Sequence, residues 1–250
     1  MYDPSAQYQL EICPLGRRPA DEYYHQGQVW IEGREGSNYT IRFTNRSPNR
    51  VLAIFSVDGL DVLKGQPAGH LSEGYVVNGN STLDIPGWKL DNQTAAEFYF
   101  SRSDKSYVAK LGGNVSNTGV IGAMVFKEWQ PPVYNNYTFT ANPHSSGYNP
   151  NALRGITSSA VGMNSIQSVN AVSSAVGTGF GQATQWNTTP TSFIRENHNI
   201  PNAILAVYYD SSKNLQRRGI VLKSRYTAST SNSAFPAYTS GATPPPGWQP

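Results

Sequence analysis

Residues 50–63, RVLAIFSVDGLDVL, form two apolar runs joined by the pair Asp58-Gly59. Both central residues of a type I′ turn need positive φ, and an Asp-Gly pair tolerates that conformation while matching the twist of the flanking strands. The run Val51–Val57 is almost entirely apolar and rich in β-branched residues, which favours a strand buried on both faces over a short helix. The stretch therefore predicts the core strand of an antiparallel β domain.

The surrounding sequence predicts further short strands. Residues 38–45, NYTIRFTN, alternate strictly between apolar and polar side chains, and this period of two marks a half-buried strand. Similar short runs recur through residues 7–129 with Gly, Pro and Asn between them, a spacing typical of a sandwich or jelly roll. We therefore predict an all-β fold, with an antiparallel β-sandwich or jelly-roll-like core at 7–129.

A second hairpin is predicted inside this core. Residues 74–77 and 81–85 are apolar enough for strands, and Asn78-Gly79-Asn80 between them favours a turn. Pro86 follows directly, and we expect it to end the pair because proline cannot donate a hydrogen bond to a ladder.

The composition changes after residue 129. Residues 130–182 are rich in Asn, Ser, Gly and Tyr and almost free of charge, which predicts a low-complexity arm or linker. Residues 177–181, GTGFG, resemble part of a dinucleotide loop but lack its third glycine. A flexible hinge is the interpretation that we adopt for them.

Apolar patterns return in residues 183–223. The runs 203–209 and 215–222 flank a polar turn, so we predict a C-terminal hairpin, which is too small to be stable unless it docks on the core. Residues 224–250 are rich in Pro, Ser and Thr and predict a tail that a partner would have to order.

The low charge of the chain narrows the function classes. Only 14 % of the residues are charged, compared with about a quarter in a typical soluble domain, and this composition is common in extracellular and virion proteins. The net charge of +3 without a basic block does not indicate a nucleic-acid partner. No apolar run is long enough to predict a membrane span. The first residues lack the features of a secretory signal, so we expect cytoplasmic synthesis before assembly in a virion or on an extracellular surface.

The sequence contains few residues in catalytic or metal-binding patterns. It has no Gly-x-Ser-x-Gly elbow, His-Glu-x-x-His motif or Walker loop. Asp58 and Asp61 are close together and His70 follows, but the turn already explains Asp58. Cys13 is the single cysteine, so the chain has no internal disulfide and no cysteine-based metal site. We predict no catalytic residue, no metal and no cofactor.

Aromatic residues are the more suggestive feature. Tyr and Trp fall largely at expected strand ends and in loops, where such rings anchor protein interfaces or stack on sugars. The alternative is that most of them only cover the edges of the sheets. The contact residues that we predict for a partner or a ligand are Tyr134, Tyr137, Tyr148, Trp186 and Trp248.

The series SVDGLDV, GYV, IPGW, AAEFYF, SY and GVIG resembles an uncharacterised family found in bacteria and their viruses. The resemblance covers residues 29–126 and 177–222. It implies no catalytic residue, because no activity is known for the family. It does imply that the C-terminal hairpin belongs with the sandwich.

Together these features favour a non-enzymatic structural protein of a virion, of the minor capsid or decoration type, or of an extracellular surface assembly. Its partners would be other protein subunits, and we expect a homo-oligomer. Two alternatives stay open. One is a carbohydrate- or surface-binding module, for which a glycan is the ligand. The other is an enzyme whose site is assembled only in three dimensions.

Overall fold

The computed structural model describes residues 1–15, 18–131 and 174–223. Within this part of the chain, strands dominate and the helices are short. The strands are β1 Tyr8–Pro14, β2 Tyr23–His25, β3 Gln28–Glu32, β4 Asn38–Asn45, β5 Val51–Val57, β6 Leu60–Asp61, β7 Tyr75–Val77, β8 Ser81–Ile85, β9 Gly87–Lys89, β10 Thr94–Arg102, β11 Val120–Lys127, β12 Val176–Gln185 and β13 Ala203–Asp210. The helices are α1 Tyr107–Lys110 and α2 Ser212–Arg217.

The strands form two sheets that pack face to face. The six-stranded sheet has the order β1-β4-β10-β12, with β8 paired to β4 and β9 paired to β10. The seven-stranded sheet has the order β2-β3-β13-β11-β5-β6, with β7 paired to β5. Its β3–β13 pair is parallel, whereas the other strand pairs are antiparallel. One apolar cluster contains buried residues of both sheets, and the predicted all-β sandwich is confirmed.

The stretch from which the fold was predicted has the expected structure. β5 is buried along almost its whole length, because its alternate residues Val51, Ala53, Phe55 and Val57 pack in the main core while Leu52 and Ile54 pack in a second apolar cluster with Phe126. Asp58 and Gly59 have φ angles of 52° and 83°, and they join β5 to the short antiparallel β6. β4 alternates between buried and more exposed residues, as its sequence predicts.

The hairpin predicted around Asn78-Gly79-Asn80 is wrong, although both of its strands exist. β7 pairs with β5 in one sheet and β8 pairs with β4 in the other, so the turn carries the chain between the sheets. The side chain of Asn45 fixes this crossing, because its amide donates to the carbonyls of Asn49 and Asn78 at 2.8 and 2.9 Å. A sequence pattern cannot distinguish a hairpin from such a crossing, since both need a tight turn between two strands.

Pro86 ends β8 as predicted, since the strand and its pairing with β4 stop at Ile85. The chain continues directly into β9, which pairs with β10 whereas β8 pairs with β4. The proline carbonyl accepts a hydrogen bond from the Phe98 N–H at 3.0 Å. β4 and β10 pair only at Tyr39–Phe98 and Asn38–Tyr99, and beyond these pairs β8 and β9 occupy the space between them. The six-stranded sheet therefore splays open at this end.

The hinge predicted at residues 177–181 is wrong, because these residues belong to β12. The strand pairs with β10 along most of its length, and residues 176–182 therefore lie in a sheet and not in the predicted arm. The glycines serve close packing: a Cβ on Gly179 would lie 2.1 Å from a ring carbon of Tyr99. Ring contact across a strand glycine compensates for its missing side chain.

The C-terminal hairpin is also wrong in its second half. Residues 212–217 form α2, whose first turn is capped by the Ser211 hydroxyl, the acceptor for the Asn214 N–H. Gly219 follows the helix with a φ of 86°, as expected for a helix C-terminus. β13 pairs instead with β11 and β3 in the middle of the seven-stranded sheet. The rest of the predicted arm, residues 132–173, and the predicted tail, residues 224–250, lie outside the described residues.

Candidate functional site

The first candidate is a buried hydrogen-bond network between the sheets, centred on Asp58. Oδ1 accepts the Gly119 N–H at 2.8 Å and the Tyr209 hydroxyl at 2.6 Å. Oδ2 accepts the Thr178 N–H at 2.7 Å. Thr178 belongs to the six-stranded sheet, whereas Asp58 and Tyr209 belong to the seven-stranded one. The carboxylate therefore joins the two halves of the sandwich.

A chain of hydroxyl groups extends the network from Asp58. The Thr178 Oγ1 lies 2.7 Å from the hydroxyl oxygens of both Tyr209 and Tyr39. When the Tyr209 proton points to the ionised carboxylate, Thr178 must donate to Tyr209, and Tyr39 must donate to Thr178. If Asp58 is protonated and donates to Tyr209, every hydroxyl reverses and the Tyr39 proton is left without an acceptor among these groups, so the ionised carboxylate gives the fully bonded chain.

The protonation of this network is set by burial. Desolvation raises the pKa of Asp58 to about 6, while hydrogen bonds from Tyr209, Thr178 and Gly119 act in the opposite direction. Burial also raises the pKa of Tyr39 and of Tyr209 well above the ordinary value, so both phenols are neutral at physiological pH. All these groups are buried and bonded to one another, which leaves no room for a substrate. We interpret the network as structural.

The second candidate is an open groove at the splayed end of the sandwich, which we call the side groove. One wall is the β6–β7 loop and β7, and the opposite wall is the segment 186–195. Residues of β8 and of the end of β9 complete its lining. The groove has a volume of about 730 Å³. Its apolar lining residues are Leu52, Leu63, Leu71, Tyr75, Val76, Leu83, Leu90, Trp186 and Phe193.

The segment 186–195 is held in place at both ends. The Trp186 N–H donates to the Gln93 carbonyl at 2.8 Å, which fixes the segment beside β10. At the other end, the Arg195 guanidinium donates to the His70 and Ser72 carbonyls of the opposite wall and lies 4.3 Å from the ring centroid of Phe126. The groove is therefore preformed, because its two walls are bonded to each other.

Tyr75 packs between the core and the side groove. Its ring lies 6.2 Å from that of Phe55 in the core and 5.2 Å, edge to face, from that of Trp186. Burial raises the pKa of its phenol, so the group is neutral. The hydroxyl oxygen is buried and has no hydrogen-bond partner among the described residues.

Removing this hydroxyl is expected to stabilise the protein. A buried hydroxyl without a partner costs desolvation free energy, so Tyr75→Phe should raise the free energy of unfolding by about 1 kcal/mol. Tyr209→Phe is the matched control, because it deletes a hydroxyl that donates to Asp58 and should lower the same quantity by about 2 kcal/mol. Urea unfolding of the two variants measures both effects. Equal destabilisation by both changes would contradict the assignment of Tyr75.

The charges around the side groove are predominantly positive. Lys64, Lys89 and Arg195 line it together with one acidic residue, Glu73. Lys64 pairs with Glu73 at 2.7 Å. Lys89 forms no ion pair within residues 1–15, 18–131 and 174–223. The pKa of Asp91 is lowered by hydrogen bonds from Thr94 and Gln93 and, more weakly, by the charge of Lys89. Lys89 is therefore the cation of the groove without an ion pair among the described residues, with Asp91 as the acid nearest to it in sequence.

A third feature is a group of exposed apolar residues on segments that adjoin near the end of β11. Trp129 donates its N–H to the Ile194 carbonyl at 2.8 Å, and the Asn202 N–H, close to Ile200, bonds to the Val125 carbonyl at 2.7 Å. Ile204 pairs with Met124 of β11. These segments carry large apolar side chains with relative exposures between 49 % and 61 %. We call these four residues, Trp129, Ile194, Ile200 and Ile204, the apolar end.

The structure places one of the predicted contact residues at a candidate site. Trp186 lines the side groove, whereas Tyr134, Tyr137, Tyr148 and Trp248 lie outside the described residues. The sequence reasoning missed Leu71, Lys89 and the residues of the apolar end. Leu71 and Lys89 belong to different loops and strands, so no local pattern joins them. Ile204 was assigned to a strand, but its outward direction could not be read from an entirely apolar run.

Groups that could bind a metal ion do not converge in the described structure. Among residues 1–15, 18–131 and 174–223, no three His, Cys, Asp or Glu side chains are grouped so that they could hold a metal ion. Asp61 caps its own loop, since Oδ1 accepts the N–H groups of Leu63 and Lys64 at 2.9 and 2.8 Å. None of the helices in this part of the chain is long and apolar enough to cross a membrane.

Known proteins provide no further guide to the site. Comparisons with models of protein families, with curated proteins and with solved structures found no match. The function must therefore be argued from the side groove and the apolar end themselves.

Proposed function

We propose that this chain is a non-enzymatic structural protein of a virion or of an extracellular surface assembly, in which copies associate with one another. The observation that carries the proposal is the apolar end. Large apolar side chains exposed on adjoining segments are typical of protein interaction sites, because their exposure to water does not stabilise a monomer. Association of two copies would bury them and provide the hydrophobic free energy of the interface.

The arrangement of the polar groups supports a non-enzymatic role. The buried carboxylates of Asp58 and Asp61 accept hydrogen bonds that close turns and join the sheets, so they are occupied by the fold. The one acidic side chain among the lining residues of the side groove, Glu73, is engaged in an exposed ion pair with Lys64. The resemblance to a family found in bacteria and their viruses remains a prediction that agrees with an assembly role.

Self-association is expected to depend on Ile204. The full chain of 27.3 kDa should form a discrete oligomer in solution. Ile204→Lys should weaken it about tenfold or more, since a charge would have to be buried in an apolar contact. Light scattering across concentration measures both the mass and the dissociation constant. The control is Leu111→Lys, an equally exposed leucine at the end of α1 and outside the apolar end.

The same measurement can refute the proposal. A monomer at every concentration for the unmodified chain would contradict self-association. An oligomer that neither Ile204→Lys nor Ile194→Lys weakens would show that the apolar end is not the interface. Circular dichroism of each variant confirms that a loss of association does not come from unfolding.

A further inference from the structure

We propose that the side groove binds an extended peptide segment of another protein, and that this segment carries both apolar and acidic side chains. The inference does not depend on self-association, because the groove and the apolar end are made of different residues. It adds a second contact, through which an assembly of this chain would attach to a different protein.

The lining of the groove indicates that the ligand carries apolar side chains. Leu71 and Leu90 line it with relative exposures of 74 % and 48 %, and Trp186 and Phe193 belong to the same lining. Leucine side chains that stay this exposed inside a concave site gain hydrophobic free energy when an apolar group covers them. The ligand must therefore supply apolar side chains.

The extended form of the ligand follows from the shape of the groove. It runs between β7, an edge strand of the seven-stranded sheet, and the segment 186–195, whose first residues after Trp186 belong to no strand. Extended peptides bind such edges through main-chain hydrogen bonds and place alternate side chains in pockets. Because Arg195 already bonds the two walls together, the protein has little conformational entropy to lose on binding.

The charges of the groove indicate that the ligand carries acidic side chains. The Lys64 ammonium is paired with Glu73, and the Arg195 guanidinium is occupied by backbone carbonyls. Lys89 forms no ion pair in the part of the chain that the structure describes, although its charge, after the hydrogen bonds from Thr94 and Gln93, helps to lower the pKa of Asp91. The carboxylate of Asp91, the acid nearest in sequence, accepts hydrogen bonds from Thr94 and from the Gln93 N–H. A carboxylate on the ligand would complement Lys89.

Charge also indicates which chain supplies the ligand. The parts of this chain outside the described residues, 16–17, 132–173 and 224–250, contain no Asp or Glu. None of these segments could place a side-chain carboxylate beside Lys89. Charge complementarity therefore favours a segment of a different protein over one of this chain.

Pools of labelled, capped octapeptides test the proposal. In the acidic pool, Leu or Tyr alternates with Asp or Glu. In the basic pool the alternating residues are Lys or Arg, and in the neutral pool they are Ser or Thr. Fluorescence anisotropy with the full chain should show the tightest binding for the acidic pool. Lys89→Glu should weaken that binding about tenfold and favour the basic pool. Lys213→Glu on α2 makes the same change of charge away from the groove and should leave the preference unchanged.

Each other result would overturn the inference. Equal binding of all pools, or equal effects of Lys89→Glu and Lys213→Glu, would show that Lys89 does not select the ligand. If no pool binds and chitohexaose or maltohexaose shifts the amide resonances of Trp186 and Leu71, the groove is a carbohydrate site. A loss of oligomer mass on Lys89→Glu in light scattering would identify a second copy as the occupant. If no probe binds, the groove is not a docking site, whatever light scattering shows for self-association.

Discussion

Asp58→Asn is expected to lower the free energy of unfolding by about 3 kcal/mol. Each carboxylate oxygen accepts a backbone N–H, Oδ1 from Gly119 and Oδ2 from Thr178. Either orientation of an asparagine amide would place its NH₂ group against one of these donors. The substitution should add no backbone strain, because asparagine tolerates the positive φ of this position as well as aspartate does.

Urea unfolding of the two proteins at pH 7 measures this loss. Asp84→Asn is the matched control, because Asp84 forms a surface ion pair with Arg42 and exposed pairs contribute less than about 1 kcal/mol. A loss for Asp58→Asn as small as that for Asp84→Asn would contradict the structural role of the network.

The dependence on pH provides an independent test of Asp58. Its pKa is about 6 in the folded protein, against an ordinary value of 3.8, so between these values the folded state binds more protons than the unfolded state. The contribution of Asp58 is then fully present below pH 3.8 and is lost as pH rises through 6, by about 3 kcal/mol in total. Tyr39 and Tyr209, which face the carboxylate, stay neutral throughout this range.

The measurement is the difference in unfolding free energy between the unmodified protein and Asp58→Asn, followed from pH 4 to pH 7. Taking the difference removes the titration of all other groups that the two proteins share. We expect it to be larger at pH 4 than at pH 7. A constant difference would show that Asp58 titrates alike in the folded and unfolded states.

Gly87→Ala is expected to lower the free energy of unfolding by about 3 kcal/mol. A Cβ at this position would lie 2.0 Å from the carbonyl oxygen of Ala96. The neighbouring backbone has little freedom to move, because Gly87 pairs with Glu97 and the Phe98 N–H donates to the Pro86 carbonyl. The strain would fall where β9 joins β10, at the end of the six-stranded sheet that forms the side groove.

Gly69→Ala is the control for this change. A Cβ on Gly69 would meet no atom within 4 Å, and its φ is not in the left-handed region, so we expect a change within about 0.5 kcal/mol. Equal stabilities for the two alanine variants in urea would contradict the close approach of β9 to β10. Peptide binding by a folded Gly87→Ala protein should also weaken, since Lys89 lies on the same strand.

The sequence predicted the local structure of many strands correctly. The bounds of β4 and β5 agree with their apolar patterns, and the Asp58-Gly59 turn has the positive φ angles that it requires. The predictions were wrong where one local sequence pattern is compatible with two different structures. Residues 177–181 look flexible because of their glycines, yet those glycines admit the ring of Tyr99. The polar turn before Leu215 was a helix cap, which its Ser211 could have indicated.

Of the candidate sites, only Trp186 could be predicted from the sequence. The aromatic type of this residue marked it as a contact residue, but its neighbours in the side groove come from distant parts of the chain. Arg195 bonds to the Ser72 carbonyl across 123 positions of sequence. No pattern of a single segment contains such a pairing.

The sequence by itself determined that this protein is an all-β sandwich with little charge, because strand periodicity and turn chemistry are local properties of the chain. Tertiary structure decided which sheet each strand joined, how the buried Asp58 was satisfied and where the side groove formed. These outcomes depend on the packing of segments far apart in sequence. The sequence does not show whether an apolar residue of a strand faces the core or the solvent. Only the assembled sheets distinguish Leu205 in the core from Ile204 at the apolar end.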